Sequence, residues 1–102
     1  MIRVYHMTHE ERKRTPMSWI SAEELKVTRA THLLVAILKD CNSKGEAFQL
    51  TNHITHNWAE NKGVDCYVNT PRSTSAGDVL ETDKGLYLID GVGFIKTDWS
   101  ED

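Results

Sequence analysis

Residues 31–39, THLLVAILK, contain the longest apolar run of the chain, which spans positions 33–38. A continuous apolar run bounded by polar residues is typical of a strand that is buried on both faces. We therefore expect this segment to lie centrally in a β-sheet. The run is far shorter than the roughly 18 apolar residues that a membrane-spanning helix requires.

The segment after this strand has the composition of a loop followed by a helix. Residues 40–45, DCNSKG, place Asn42 and Ser43 where either can cap a helix N-terminus. We expect a helix from about residue 44 to residue 53. Its apolar positions recur at helical spacing and are expected to face the sheet. They are Ala47, Leu50 and Ile54.

The N-terminal third of the chain alternates between strand and helix signals. Residues 1–7 alternate in polarity, which predicts a strand with one face inward. A Ser or Thr followed three residues later by Glu forms a capping box at a helix start, and two such boxes follow. They are Thr8 with Glu11, before a helical turn that ends at Pro16, and Ser21 with Glu24, before a helix that continues to about Thr28.

The C-terminal half contains four short strand signals, at residues 64–68, 78–82, 86–90 and 93–96. Asp83, Lys84 and Gly85 suit a hairpin loop, because glycine adopts a positive φ without strain. The order of elements predicts a single α+β domain over residues 1–102. We expect a mixed, mostly antiparallel sheet with one main helix packed on it and a C-terminal β-meander.

Composition narrows the function classes. The 102-residue chain is 26% charged and carries a net charge of −3. Eight basic and five acidic residues lie in positions 1–44, against four basic and ten acidic residues in positions 45–102. An acidic surface suits a basic protein partner and disfavours direct nucleic-acid binding, because phosphate affinity depends on clustered Lys and Arg. An alternative nucleic-acid-binding module would use Arg3, Arg12, Lys13, Arg14, Lys26 and Arg29.

Metal-ligating residue types are present at an unusual spacing. Cys41, His53, His56 and Cys66 have types that suit zinc, but no C-x2–4-C pair occurs. We therefore expect no metal and no cofactor, with a small metal-dependent enzyme as a further alternative. Because the N-terminus lacks a signal-peptide core, we expect free cysteines, a reducing compartment and a cytoplasmic location.

No set of catalytic residues is evident. The hydroxyls of Ser73, Thr74 and Ser75 lack the G-x-S-x-G surroundings of a nucleophile elbow. Trp58 lies in the polar loop 55–63, where it could either anchor a protein contact or pack into the core. We expect no enzymatic activity.

Two motifs in the C-terminal half resemble a family of small proteins from phages and other mobile elements. The motifs are AFQLTNHITHNWAENKGV at residues 47–64 and RSTSAGDVLETDKGLYLIDGVGFI at residues 72–95. They resemble a family pattern that consists of AF-x-L-T-N, a Trp loop, R-S-x-S-V-G-D-V and a closing G-F. The R-S-x-S-V-G-D-V segment is also similar to a segment of YodL-like and antirestriction-associated plasmid proteins. Ala76 stands where the family usually has Val.

The resemblance implies a phage-type accessory protein that binds and modulates a host protein in the host cytoplasm, through host takeover or inhibition of a defence system. The second motif also has a structural interpretation. Asp78 could pair with Arg72 or cap the loop, serines could bind backbone donors, and Gly77 could supply a special backbone angle. The predicted partner-binding residues are Trp58, Glu60, Asn61, Asp65, Arg72, Ser73 and Asp78.

Overall fold

A computed structural model describes residues 1–14, 25–53, 56–91 and 93–100 of the chain. These residues form a six-stranded sheet in which every pairing is antiparallel, with strand order β3-β2-β1-β4-β5-β6. The strands are β1 (Ile2–Met7), β2 (His32–Leu38), β3 (Val64–Cys66), β4 (Val79–Thr82), β5 (Gly85–Asp90) and β6 (Gly93–Thr97). Two helices, α1 (His9–Arg14) and α2 (Lys44–Thr51), and a 3₁₀ turn (Trp58–Glu60) complete the described elements.

The N-terminal strand lies in the interior of the sheet. β1 pairs with β2 on one side, from Ile2 opposite Leu38 to Met7 opposite His32. On its other side it pairs with β4, where Val4 lies opposite Leu80. β4, β5 and β6 then follow as a meander, so the first strand joins the two halves of the chain.

Helix α2 packs on one face of the sheet. The Ser43 side chain accepts a hydrogen bond from the Glu46 N–H, so Ser43 is the helix cap. Ala47 is fully buried against the strands, and Phe48 and Leu50 pack at the margin. The core on this face includes Ile2, Val4, Ala36, Leu38, Trp58 and Leu80.

The opposite face carries a smaller apolar cluster. Tyr5 meets Trp99 edge-on, with ring centroids 4.8 Å apart. Val27 packs in the same cluster, and its carbonyl accepts a hydrogen bond from the Ser100 N–H. The guanidinium of Arg29 lies 3.8 Å from the Trp99 ring centroid and forms a cation–π contact with it.

The predicted α+β domain with one main helix and a terminal meander is confirmed. Half of the predicted Thr8 capping box is present: the Glu11 N–H donates to the Thr8 hydroxyl at 3.2 Å, whereas the Thr8 N–H donates to the Thr31 carbonyl rather than to the Glu11 carboxylate. Gly85 has the expected positive φ, at 137°. The described part of the sheet is entirely antiparallel rather than mixed, since all five strand pairings are antiparallel.

Two expectations about segments were wrong in part. β2 is an interior strand but lies second from the sheet edge, and Leu33 is 52% exposed because only the short β3 lies outside it. Residues 25–28 are not helical, since they pair with the C-terminal segment and a Thr-rich turn instead. The predictions for Pro16, Ser21, Glu24 and Ile54 lie outside the described residues.

Candidate functional site

Four of the seven predicted partner-binding residues fall into two regions, Arg72 and Asp78 in one and Glu60 and Asp65 in the other. The first, which we call the Asp78 centre, consists of His6, Arg12, Arg72, Thr74 and Asp78. The second, which we call the β3 groove, is the open depression between the 3₁₀ turn and the outer edge of β3, continuing to residue 69. The two regions differ in whether their polar groups are already bound within the molecule.

Asp78 is a fully buried carboxylate with two arginine partners. Its Oδ1 and Oδ2 accept from the Arg72 guanidinium at 2.6 and 2.7 Å, and its Oδ1 accepts from Arg12 at 3.2 Å. The backbone N–H groups of Met7 and Ser75 donate to the same carboxylate at 2.8 and 2.9 Å. Bidentate arginine and backbone donors together satisfy the buried charge.

The electrostatics of the centre follow from these bonds. Burial by itself would raise the pKa of Asp78, but the hydrogen bonds and charge of Arg72 hold that pKa below its usual range. The ring of His6 lies beside the carboxylate, with its Nε2 2.8 Å from the Thr74 hydroxyl. Burial lowers the pKa of His6 to about 4, so the ring is neutral at pH 7.

A second buried histidine supports the loop that carries Asp78. His32 Nε2 donates to the Gly77 carbonyl at 2.7 Å, which fixes this nitrogen as the protonated one. Burial lowers the pKa of His32 as well. Gly77 itself has a φ of 97°, in the region that favours glycine. Two parts of the predicted structural role of this motif are therefore confirmed, the Arg72–Asp78 pair and the special backbone angle of Gly77.

Trp58 belongs to the core rather than to the surface. Its side chain is fully buried, and its Nε1–H donates to the Arg72 carbonyl at 3.0 Å. Its ring meets His6 edge-on with centroids 6.0 Å apart. The interpretation of Trp58 as an exposed anchor is wrong, and the alternative that it packs in the core is confirmed. Burial likewise contradicts the use of Asp78 as a contact charge.

The remaining members of the predicted set are divided. Asn61 is half-buried and caps the 3₁₀ turn, since its N–H donates to the Trp58 carbonyl. The Ser73 carbonyl accepts from Arg72 at 3.0 Å, whereas its buried hydroxyl has no partner in the described structure. The expected binding of backbone donors by serine hydroxyls is therefore absent at Ser73. Glu60 and Asp65 are exposed and line the β3 groove.

The β3 groove is open and has a volume of about 610 Å³. Glu60 and Asp65 are the charged residues among those that line it, and both are acidic. Tyr67 and Val68 form its apolar part and are 58% and 42% exposed. They are two of the four exposed large hydrophobic residues within the described residues. Neither residue was predicted to be exposed, because a strand prediction at 64–68 does not show that β3 ends at Cys66 and lies at an edge.

The basic residues of the nucleic-acid alternative are largely engaged inside the molecule. Arg3 pairs with Glu81 and Arg14 with Glu11, at 3.6 and 2.8 Å. Arg12 binds Asp78, and Arg29 lies over Trp99. These pairs place the cations on several elements and reduce the charge that they would offer to a phosphate backbone.

The metal-ligating residue types do not converge within residues 1–14, 25–53, 56–91 and 93–100, where no group of three or more His, Cys, Asp or Glu side chains could hold a metal ion. The rings of His53 and His56 lie 5.7 Å apart. Cys41 is buried, burial raises the pKa of its thiol, and both Cys41 and Cys66 are free.

Comparison of the chain with protein-family models, curated proteins and solved structures finds no significant match. Within the described residues, no helix has the length and apolar character needed to cross a membrane.

Proposed function

We propose that this chain is a non-enzymatic accessory protein that binds another protein through the β3 groove. The observation that carries the proposal is the groove itself, where exposed Tyr67 and Val68 adjoin the carboxylates of Glu60 and Asp65. Aromatic side chains are enriched at protein interfaces, and a charged rim favours a partner of the opposite sign.

The resemblance to phage and mobile-element proteins makes a host protein the partner to test first. In this proposal the chain acts in the host cytoplasm and inhibits or redirects its target, as in host takeover or inhibition of a defence system. The acidic charges of the groove favour a target with a basic surface, because opposite charges accelerate association.

Protein binding is supported over the nucleic-acid alternative by the distribution of charge. At least four of the six basic residues of that alternative form ion pairs or aromatic contacts within the molecule. The open groove, by contrast, is acidic and would repel phosphate groups. Protein binding is supported over the alternative of a metal-dependent enzyme because the His and Cys side chains of that alternative form no group of three or more within the part of the chain that the structure describes.

The proposal is tested by affinity capture from host lysate followed by measurement of binding to each captured protein after purification. We expect Tyr67→Ala to weaken a specific target by at least tenfold, because exposed aromatic residues commonly provide the largest single contribution at an interface. The charge variant Glu60→Gln/Asp65→Asn should weaken it less and mainly through slower association.

The matched control is Glu10→Gln/Asp83→Asn, which removes the same charge from exposed positions outside the groove. It should bind the target like the wild type. A target that binds the groove variants and the control equally well contradicts the proposed surface, and so does the absence of any target that binds directly.

A further inference from the structure

The backbone of β3 presents hydrogen-bonding groups away from the sheet. The Lys39 N–H donates to the Gly63 carbonyl, and the Tyr67 N–H donates to the Val35 carbonyl, both toward β2. Residues of an antiparallel strand alternate between hydrogen-bonded and non-hydrogen-bonded pairs. Because positions 63 and 67 point inward, the backbone groups of Val64 and Cys66 point outward, consistent with their registers opposite Leu38 and Ala36.

One of these outward donors is already used. The Val64 N–H donates to the Asn61 carbonyl at 3.3 Å, so the 3₁₀ turn blocks the start of the edge. The backbone N–H and C=O of Cys66 have no partner within the described residues. Cys66 is therefore the centre of the free edge, and the groove opens beside it.

The side chains around Cys66 indicate what kind of strand the edge would accept. Glu60 and Asp65 give the groove negative charge, and Asp65 is only partly neutralised by an exposed Lys39 at 3.4 Å. Tyr67 and Val68 offer apolar area at the far end. A segment that contains both basic and apolar residues matches both features.

The other edge strand, β6, presents a basic side chain within its span, and the exposed Asp98 follows its end. Lys96 is exposed on β6, and the Lys44 ammonium lies 5.7 Å from the Phe94 ring of the same strand. The lysines disfavour a basic segment at β6, whereas the carboxylates favour one at β3. Charge therefore distinguishes the two edges.

We propose that the outer edge of β3 binds an extended basic segment of a partner protein as an added strand, centred on the backbone of Cys66. The inference rests on the proposed function and specifies its mode of binding. Strand addition takes its affinity from main-chain hydrogen bonds and its specificity from side-chain pockets. It explains why the groove runs along the edge of β3 rather than across a face of the sheet.

The experiment uses a fluorescein-labelled nine-residue peptide of alternating lysine and valine, with the corresponding glutamate–valine peptide as the charge control. Binding to the full chain is measured by fluorescence anisotropy. Cys66→Pro removes the outward N–H, and proline is tolerated at edge positions whose N–H does not face the sheet. Cys66→Ala keeps that N–H and controls for loss of the thiol.

We expect the lysine peptide to bind the wild type and Cys66→Ala equally, and to bind Cys66→Pro about fivefold more weakly, the effect of one hydrogen bond. The glutamate peptide should bind at least tenfold more weakly than the lysine peptide. In the wild type, hydrogen exchange at the Cys66 amide should slow when the lysine peptide is added. This last measurement decides the matter if Cys66→Pro does not fold.

Equal binding of both peptides, or an unchanged exchange rate at Cys66, would overturn strand addition. A concentration-dependent dimer of the protein alone that Cys66→Pro abolishes would also overturn it, because a second copy would then occupy the edge. If the Tyr67→Ala variant no longer binds a purified target and the Cys66→Pro variant still binds it, the proposed function survives and strand addition fails. If no groove variant affects the target, the proposed function itself fails.

Discussion

The Asp78 centre and the β3 groove both contain an acidic residue that the sequence predicts as a contact charge. Asp78 is fully buried and accepts hydrogen bonds from two arginines and two backbone N–H groups. The Asp65 side chain is 52% exposed and has one exposed lysine near it. Residue type and sign of charge are the same in the two regions, so the number of internal partners decides which charge is available to another molecule.

The aromatic residues repeat the same contrast. Trp58 is enclosed, with its indole N–H bound to the Arg72 carbonyl, whereas Tyr67 is 58% exposed beside the free edge of β3. Because Trp58 also touches His6, it connects the core to the Asp78 centre. A variant at Trp58 therefore reports on folding, and a variant at Tyr67 reports on the surface.

The largest effect is expected for Trp58→Ala. Removing a fully buried tryptophan deletes its apolar contacts and leaves a cavity, which typically lowers the free energy of unfolding by about 3–5 kcal/mol. Tyr67→Ala should change it by less than about 0.5 kcal/mol, because the ring is largely exposed. Urea denaturation of both variants measures the difference. Equal losses would show that the contrast between the two aromatic residues is wrong.

A smaller effect is expected for Asp78→Asn. The substitution leaves Arg12 and Arg72 without their shared carboxylate, and breaking a buried ion pair costs about 3 kcal/mol when the arginines keep some access to solvent. Asp65→Asn removes an exposed pair that contributes about 1 kcal/mol or less. Urea midpoints again provide the comparison. An Asp78→Asn variant as stable as Asp65→Asn would mean that the centre does not hold the fold together.

Much of the fold could be predicted from local patterns. The strand at residues 1–7, the cap at Ser43 and the glycine at position 85 each depend on neighbouring residues, and each is present in the structure. The expectation that only one face of this strand points inward is wrong, because Val4 and Tyr5 lie in apolar clusters on opposite faces of the sheet. The strand order could not be predicted in the same way. The position of β1 between β2 and β4 joins residues far apart in the chain, and no short-range signal encodes it.

The same distinction between local and long-range information applies to the candidate site. The pairing of Arg72 with Asp78 was predictable because the two residues are six positions apart within one motif. The second arginine of the centre, Arg12, comes from α1, 66 residues from Asp78 along the chain, and no local pattern links the two residues. Tyr67 and Val68 could not be identified as exposed, since their exposure depends on β3 being an edge strand.

The response to acid should separate the two regions further. The folded-state pKa of His6 is lowered to about 4 from 6.5, so the folded protein binds fewer protons than the unfolded chain between these values. Stability is therefore lost as pH falls through this window, by about 2 kcal/mol between pH 7 and pH 5 for one such histidine. His32, whose pKa is also lowered, acts in the same direction. Asp78, with its lowered pKa, contributes above its unfolded value of 3.8 and loses its contribution only below that, outside the measured range.

Urea denaturation at pH 7 and pH 5 tests this dependence on His6→Gln, which removes the titrating ring. The groups around that ring, Asp78, Arg72, Arg12 and His32, remain in the variant. We expect His6→Gln to be less stable than the wild type at pH 7, because the contact with Thr74 changes, but to lose clearly less stability on going to pH 5. If the pH dependence of stability is unchanged in this variant, the acid sensitivity comes from His32 and not from His6. The Asp65→Asn variant should keep the full wild-type pH dependence, because the groove lies outside the network that surrounds His6.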